Sequence, residues 1–320
     1  MTTAPKPAAA ATPAPTHRIP LAATVTFVVL ACGLAWLFAL PLWLGEGLAH
    51  PLAGLIIPAI MATPALAVVI TLWVLKPLPR GTRLSTLGMW PLRPVRRVVG
   101  MSAIALIAPV VIIILSTAVA AASGWLTVDL VHLSGFTELL QQQTPEGVPV
   151  PPAWIVVASQ LISIPIAAAT INAVLAFGEE LGWRGFLLPA LRPYGTWPAL
   201  IVSGIIWGLW HTPVILLGYN FNRTDASGVL LMVAGCTVWG ILLGWLRLRT
   251  ASVWPAVFAH GALNAAAALY LWFFAAGTQP DAAWVSVLGV SGWIVGGAVV
   301  IVLALSGQMK KQPALGAPRR

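Results

Sequence analysis

The chain has 320 residues, 59% of them hydrophobic and only 8% charged, with a mean hydropathy of +0.92 and a formal net charge of +9. A soluble domain carries about 25% charged residues, so this composition excludes an ordinary soluble protein and indicates an all-α, polytopic membrane helix bundle in a lipid bilayer. The basic residues flank apolar runs instead of forming a polar basic face, which argues against a nucleic-acid partner despite the positive charge.

In chain order, residues 1–18 are rich in Ala, Pro and Thr, carry Lys6 and Arg18 and no acid, and read as a disordered cytoplasmic tail. The next apolar run, about 20–44, is too long for a signal-peptide core and is expected to remain as a first span. Further spans are expected at about 51–75, 98–122, 165–191, 197–217, 228–246, 251–274 and 285–305, giving about eight transmembrane helices in a single domain over 19–306. Residues 153–164 read as interfacial or as the top of the fourth span, with Pro165, Gly178, Gly182, Gly185 and Pro189 as places for a break. Residues 307–320 form a basic cytoplasmic tail. Cys32 and Cys236 lie in separate apolar runs and read as small buried hydrophobes.

Charge sets the expected orientation. The 76–97 loop holds Lys76, Arg80, Arg83, Arg93, Arg96 and Arg97, so it is expected on the cytoplasmic side. Alternation then places both termini and the turns at Arg192 and Arg247–Arg249 on that side, with Arg223 as the exception. Glu46, Asp129, Glu138, Glu146, Asp225 and Asp281 fall on the opposite side. The protein is accordingly expected to be a multi-pass protein of the plasma membrane.

Two acids remain, and both lie inside an apolar run. Leu175–Arg192 places Glu179, Glu180 and Arg184 where each ionised group costs on the order of 2.5–3.5 kcal/mol to insert. Glu180 and Arg184 are spaced i,i+4 with the acid first, the arrangement that pairs them on one helix face. Glu179 projects about 100° away and needs another partner. The fifth span carries His211, and the seventh carries His260 and Asn264, again i,i+4. At about 1.5 Å per residue, Glu179 lies about 20 Å from Arg192, His211 about 21 Å from Thr196, and His260 and Asn264 about 15 and 21 Å from Arg249. Three spans thus place a carboxylate, two imidazoles and an amide at similar depth.

Such a set suits hydrolysis: the carboxylate takes a proton from water while the imidazoles and amide hold that water and stabilise an oxyanion. Alternatively Glu179, His211 and His260 form a zinc ligand set with an open position for water, leaving Asn264 in an outer shell. Trp207 and Trp210, beside His211, read as packing. No HExxH, GxSxG or Gly-rich phosphate loop is present.

These residues resemble the CAAX protease and bacteriocin-processing family, also called the abortive-infection family, of intramembrane proteases. Its EExxxR, FxxxH and HxxxN motifs are matched by Glu179-Glu180-Leu181-Gly182-Trp183-Arg184, Trp207-Gly208-Leu209-Trp210-His211 and His260-Gly261-Ala262-Leu263-Asn264, with Trp207 in place of Phe. The resemblance covers about residues 170–270. It implies an eight-span bundle with a cavity open to the cytosol and a peptide or membrane-protein substrate cut near the cytosolic side. It further implies that Glu179 activates water, that His211, His260 and Asn264 hold the water and oxyanion, and that Glu180 and Arg184 support them. The family is labelled metalloprotease; here the expectation is either no required cofactor or zinc. Two other classes fit the same residues: a non-catalytic immunity or scaffold protein, and a proton or solute transporter using intramembrane Glu and His.

Overall fold

A computed structural model describes residues 18–310 of the chain. The expected tails at 1–18 and 307–320 lie almost entirely outside the described residues. The first helix, α1 (Leu21–Leu44), starts after Pro20 and is apolar on all sides. Ala23, Phe27, Ala31, Ala35 and Ala39 form an i,i+4 row that is fully buried, while Leu21, Val25, Val29 and Leu37 face outward, as a span packed on one side and bathed in lipid on the other requires. The second apolar run is two helices, α2 (Ala53–Ile60) and α3 (Thr63–Val74), meeting at 44°. Pro64, in the first turn of α3, has no N–H to continue the ladder, which explains the bend at Met61–Ala62.

Next come α4 (Val95–Ala122), the short amphipathic α5 (Ser134–Gln143) and α6 (Ala153–Ala169). Thr170 breaks the chain direction with φ −120° and ψ −98°, and α7 (Ile171–Glu180) follows. The break falls at Thr170, not at Pro165, and residues 153–164 are part of a long helical run. From Leu181 to Leu187 the chain is π-helical, a widened turn that contains Gly182 and Gly185. Then α8 (Thr196–Trp210) and α9 (Ala226–Thr250) pack through glycines: a Cβ on Gly204 would lie 2.7 Å from the Cα of Thr237. Close approach at small residues is how helices associate where lipid removes the hydrophobic driving force. Helix α10 (Trp254–Ala266) lies against α4, α6, α7 and α9, and α11 (Val290–Leu305) closes the bundle.

Among the described residues there is no strand, only one isolated antiparallel bridge between Val128 and Phe274. Five helices are long and apolar enough to cross a membrane, or six with the bent α2–α3 pair. The expected fifth and seventh spans are shorter than the roughly 20 residues a full crossing needs: α8 has 15 residues and α10 has 13. Helix α8 stops where Pro213 follows His211, and the run to 274 does not continue α10 but turns after Ala266 into a short helical turn at Leu269–Trp272.

The two ends of the bundle differ in charge. At one end the 76–97 hairpin packs on the α9–α10 turn: Arg247 donates to the Thr86 carbonyl at 2.7 Å, and the Val253 amide to the Gly88 carbonyl at 3.0 Å. At the other end the 123–152 loop pairs with the chain after α10, Asp129 N to Phe273 O at 2.8 Å and Ala275 N to Thr127 O at 2.9 Å, and Arg223 pairs with Asp281 at 2.6 Å.

Candidate active site

Glu179 and Glu180 end α7, just before the π-helical turn, and point to different groups. Both are buried, 2% and 0% exposed, as is Arg184 at 1%. Glu180 Oε1 accepts from Arg184 Nη1 at 2.6 Å, the i,i+4 pair expected from their spacing, and lies 2.9 Å from His260 Nδ1. A carboxylate oxygen accepts, so Nδ1 is the donor, and in that tautomer Nε2 presents a lone pair. His260 Nε2 is 4.0 Å from Glu179 Oε1.

The other Glu179 oxygen, Oε2, accepts from the indole N–H of Trp207 at 2.6 Å. Trp207 also lies under the Arg184 guanidinium, 4.4 Å from its ring centroid, and edge-on to His260 at 5.3 Å. The reading of Trp207 as packing therefore needs correction. The signal was available: unlike the Phe of the motif it resembles, Trp brings a donor-only N–H, and a buried Trp usually aims it at an acceptor. Trp210, by contrast, donates to Thr63 on α3 at 3.0 Å and holds the bend against α8.

His211 closes α8, and its Nδ1 lies 2.9 Å from the Trp207 carbonyl, which assigns the proton to that nitrogen and leaves Nε2 as an acceptor. Glu179, His211, His260 and Asn264 line one cavity of about 300 Å³. Its walls come from the α2–α3 bend (Ile57, Met61), from α7 and from the loop after α8 (Tyr219, Asn220). A second cavity of about 490 Å³ adjoins it, with Asn172 and Asn264 in the walls of both. Asn172, absent from the expected site, sits two residues past the Thr170 break.

A water about 2.8 Å from both Glu179 Oε1 and His260 Nε2 would see them at an angle of about 90°, close to the geometry for donating to both. A metal is a poorer match: among the described residues no three His, Cys, Asp or Glu side chains are grouped closely enough to hold one. The bonds to Glu180 and Trp207 occupy His260 Nδ1 and Glu179 Oε2 and leave His260 Nε2, Glu179 Oε1 and His211 Nε2 as the acceptors that face the cavity.

Fold and site together define an all-helical integral membrane protein with a buried glutamate- and histidine-bearing site inside the bundle. Residues 154–266 match the family described as type II CAAX prenyl endopeptidase Rce1-like. A 93-residue stretch is 32% identical to the CAAX prenyl protease 2 of Methanococcus maripaludis, covering 27% of this chain and 34% of that protein. The matched region thus spans about a third of the curated relative's length. On these matches the 154–266 stretch is similar to CAAX prenyl endopeptidases.

Proposed function

We propose that the protein is an intramembrane endopeptidase that hydrolyses a peptide bond in the Glu179 cavity by a glutamate-activated water, without a catalytic metal. The observation that carries this reading is the pairing of Glu179 Oε1 with His260 Nε2 across 4.0 Å in a cavity that also holds His211 and Asn264. Water donates to both acceptors, and its oxygen attacks the carbonyl carbon. Glu179 takes one water proton as the C–O bond forms, and then delivers it to the nitrogen as the C–N bond breaks, leaving a carboxylic acid and an amine. Asn264 is the neutral donor available to the oxyanion. Glu180 and Arg184 act through His260, holding it in the tautomer that faces the water. The substrate is a peptide or a membrane protein, and the setting is the plasma membrane.

The test is cleavage by detergent-purified protein of a mixed peptide and membrane-protein library, with new termini read by mass spectrometry. Wild type is compared with Glu179→Gln and His260→Ala, each with and without a strong chelator. The expected outcome is wild-type cleavage that the chelator leaves unchanged and both substitutions abolish. The same new termini from Glu179→Gln would end the proposal, and chelator-sensitive cleavage would restore the zinc alternative built on Glu179, His211 and His260.

A further inference from the structure

The expectation of a cytoplasmic arginine-rich end and that of a cavity open to the cytosol conflict in this structure. Lys76, Arg80, Arg83, Arg93, Arg96 and Arg97 lie in the hairpin that Arg247 and Val253 tie to the α9–α10 turn. The core cluster formed by Leu188, Ala199, Leu200, Leu248 and Met309 brings the Arg192 turn and the end of the last helix to the same place. No residue of that end lines either cavity.

The cavities are built instead from the opposite half. Tyr219 and Asn220, both exposed, and Leu288 belong to loops on the side of Asp225 and Asp281. Phe136, Gln143 and Trp272 in the second cavity belong to the segments that pair near Asp129 and Glu138. Depth agrees: thirteen helical residues separate Glu179 from Arg192, about 20 Å of a hydrocarbon core about 30 Å thick. The site therefore lies about 10 Å below the acid-bearing face and about twice as far from the arginine-rich one.

We infer that the active-site cavity is reached from the extracytoplasmic side. Lys and Arg collect on the cytoplasmic side of short-looped membrane proteins, and that bias sets orientation, whereas acids contribute little. Resting on the protease reading, this assigns the substrate class: a polypeptide segment displayed on the outer face, from an exported protein or the outer flank of a membrane protein. The second cavity adds a chemical preference. Its polar side chains are Gln143, Gln160, Ser163, Asn172 and Asn264, with no charged group, so the segment it takes is uncharged. Amides on both sides of the junction supply donors and acceptors for an extended backbone.

The experiment is labelling of introduced cysteines with a membrane-impermeant maleimide in sealed right-side-out vesicles, before and after detergent opens them. Glu146→Cys reports the cavity end and Gly81→Cys the arginine-rich end; both sites are exposed, and a side chain at Gly81 meets nothing within 4 Å. Glu46→Cys and Arg97→Cys form a second pair should either of the first fail to fold. The wild-type chain, with Cys32 half-buried and Cys236 buried, sets the background. Labelling of Glu146→Cys in sealed vesicles, with Gly81→Cys protected until detergent is added, is the expected result. The reverse pattern overturns the inference and leaves cleavage by purified protein untouched. Loss of the protease reading would leave the labelling pattern unchanged.

Discussion

Trp207 Nε1 donates to Glu179 Oε2 across 2.6 Å, joining residues 28 positions apart on two different helices. This bond uses one carboxylate oxygen and leaves the other facing His260. It makes Trp207 a positioning residue of the proposed site.

Trp207→Phe removes the N–H and keeps most of the ring. Leaving a buried acceptor unsatisfied costs about 1–3 kcal/mol, so kcat/KM should fall by about tenfold or more while the protein still folds. Trp207→Ala also removes the ring beneath Arg184 and should cost thermal stability in addition. Peptide-cleavage kinetics alongside detergent melting separate the two. Equal activity in wild type and Trp207→Phe would show that the bond does not matter to the reaction.

Glu180 and Arg184 are a buried ion pair, and removing one partner strands the other. Glu180→Gln or Arg184→Met alone should destabilise the fold by about 3–5 kcal/mol. The double substitution should recover most of that stability because no charge is left unpaired. Activity should not return with it, since His260 Nδ1 has lost its carboxylate acceptor. Melting and turnover measured on all three variants form the cycle; recovery of both would make the pair purely structural.

A Cβ on Gly178 would lie 2.6 Å from the carbonyl oxygen of Met61 and 3.1 Å from the Cα of Ala62, both on the backbone of the α2–α3 bend. Gly178→Ala must push that bend away from α7, and Ile57, Pro58 and Met61 in the cavity wall move with it. The expected result is a loss of about 1–3 kcal/mol and reduced cleavage. Gly100→Ala in α4 is the control: its new Cβ meets nothing within 4 Å, and helix propensity favours it by up to about 1 kcal/mol.

The 123–152 loop carries a pH-dependent element. Asp129 caps the turn through the amides of His132 at 2.9 Å and Val131 at 3.1 Å, and these bonds hold its carboxyl down at about 2 against an ordinary 3.8. A depressed folded-state value means the contribution is complete above about 4 and is lost as pH falls through about 2. Hydrogen exchange of the Val128–Ser134 amides should therefore stay slow down to about pH 4. Asp129→Asn should speed it at neutral pH, and unchanged protection there would refute the capping role.

Much of this arrangement was legible in the sequence. The i,i+4 spacing of Glu180 and Arg184 foretold their pairing. The common depth of Glu179, His211, His260 and Asn264 matched what the fold brings around one cavity. The partner of Glu179 was legible only as an unassigned donor, because the Trp207 indole neither titrates nor binds metal and nothing in its spacing points it at Glu179. Helices α8 and α10 are shorter than the apolar runs that contain them, since hydropathy continues through Pro213 and past Ala266 while the helices stop. Thr170 gave no composition signal: its break is set by packing between α6, α7 and α10.

The π-helical turn at Leu181–Leu187 bears on how this chain tolerates change in length. Each turn of that kind holds an extra residue, so everything after Leu187 is shifted by about 100° relative to a continuous α-helix from Glu180. Leu188 and Ala190 reach their buried positions only through that phase shift. Losing one residue there would let the turn close to a regular α-helix, with Glu179 and Glu180 above it and Leu188 and Ala190 below it keeping their facing. An aligned sequence one residue shorter in this stretch would thus be expected to share both the upper site and the packing of the lower end, without the widened turn.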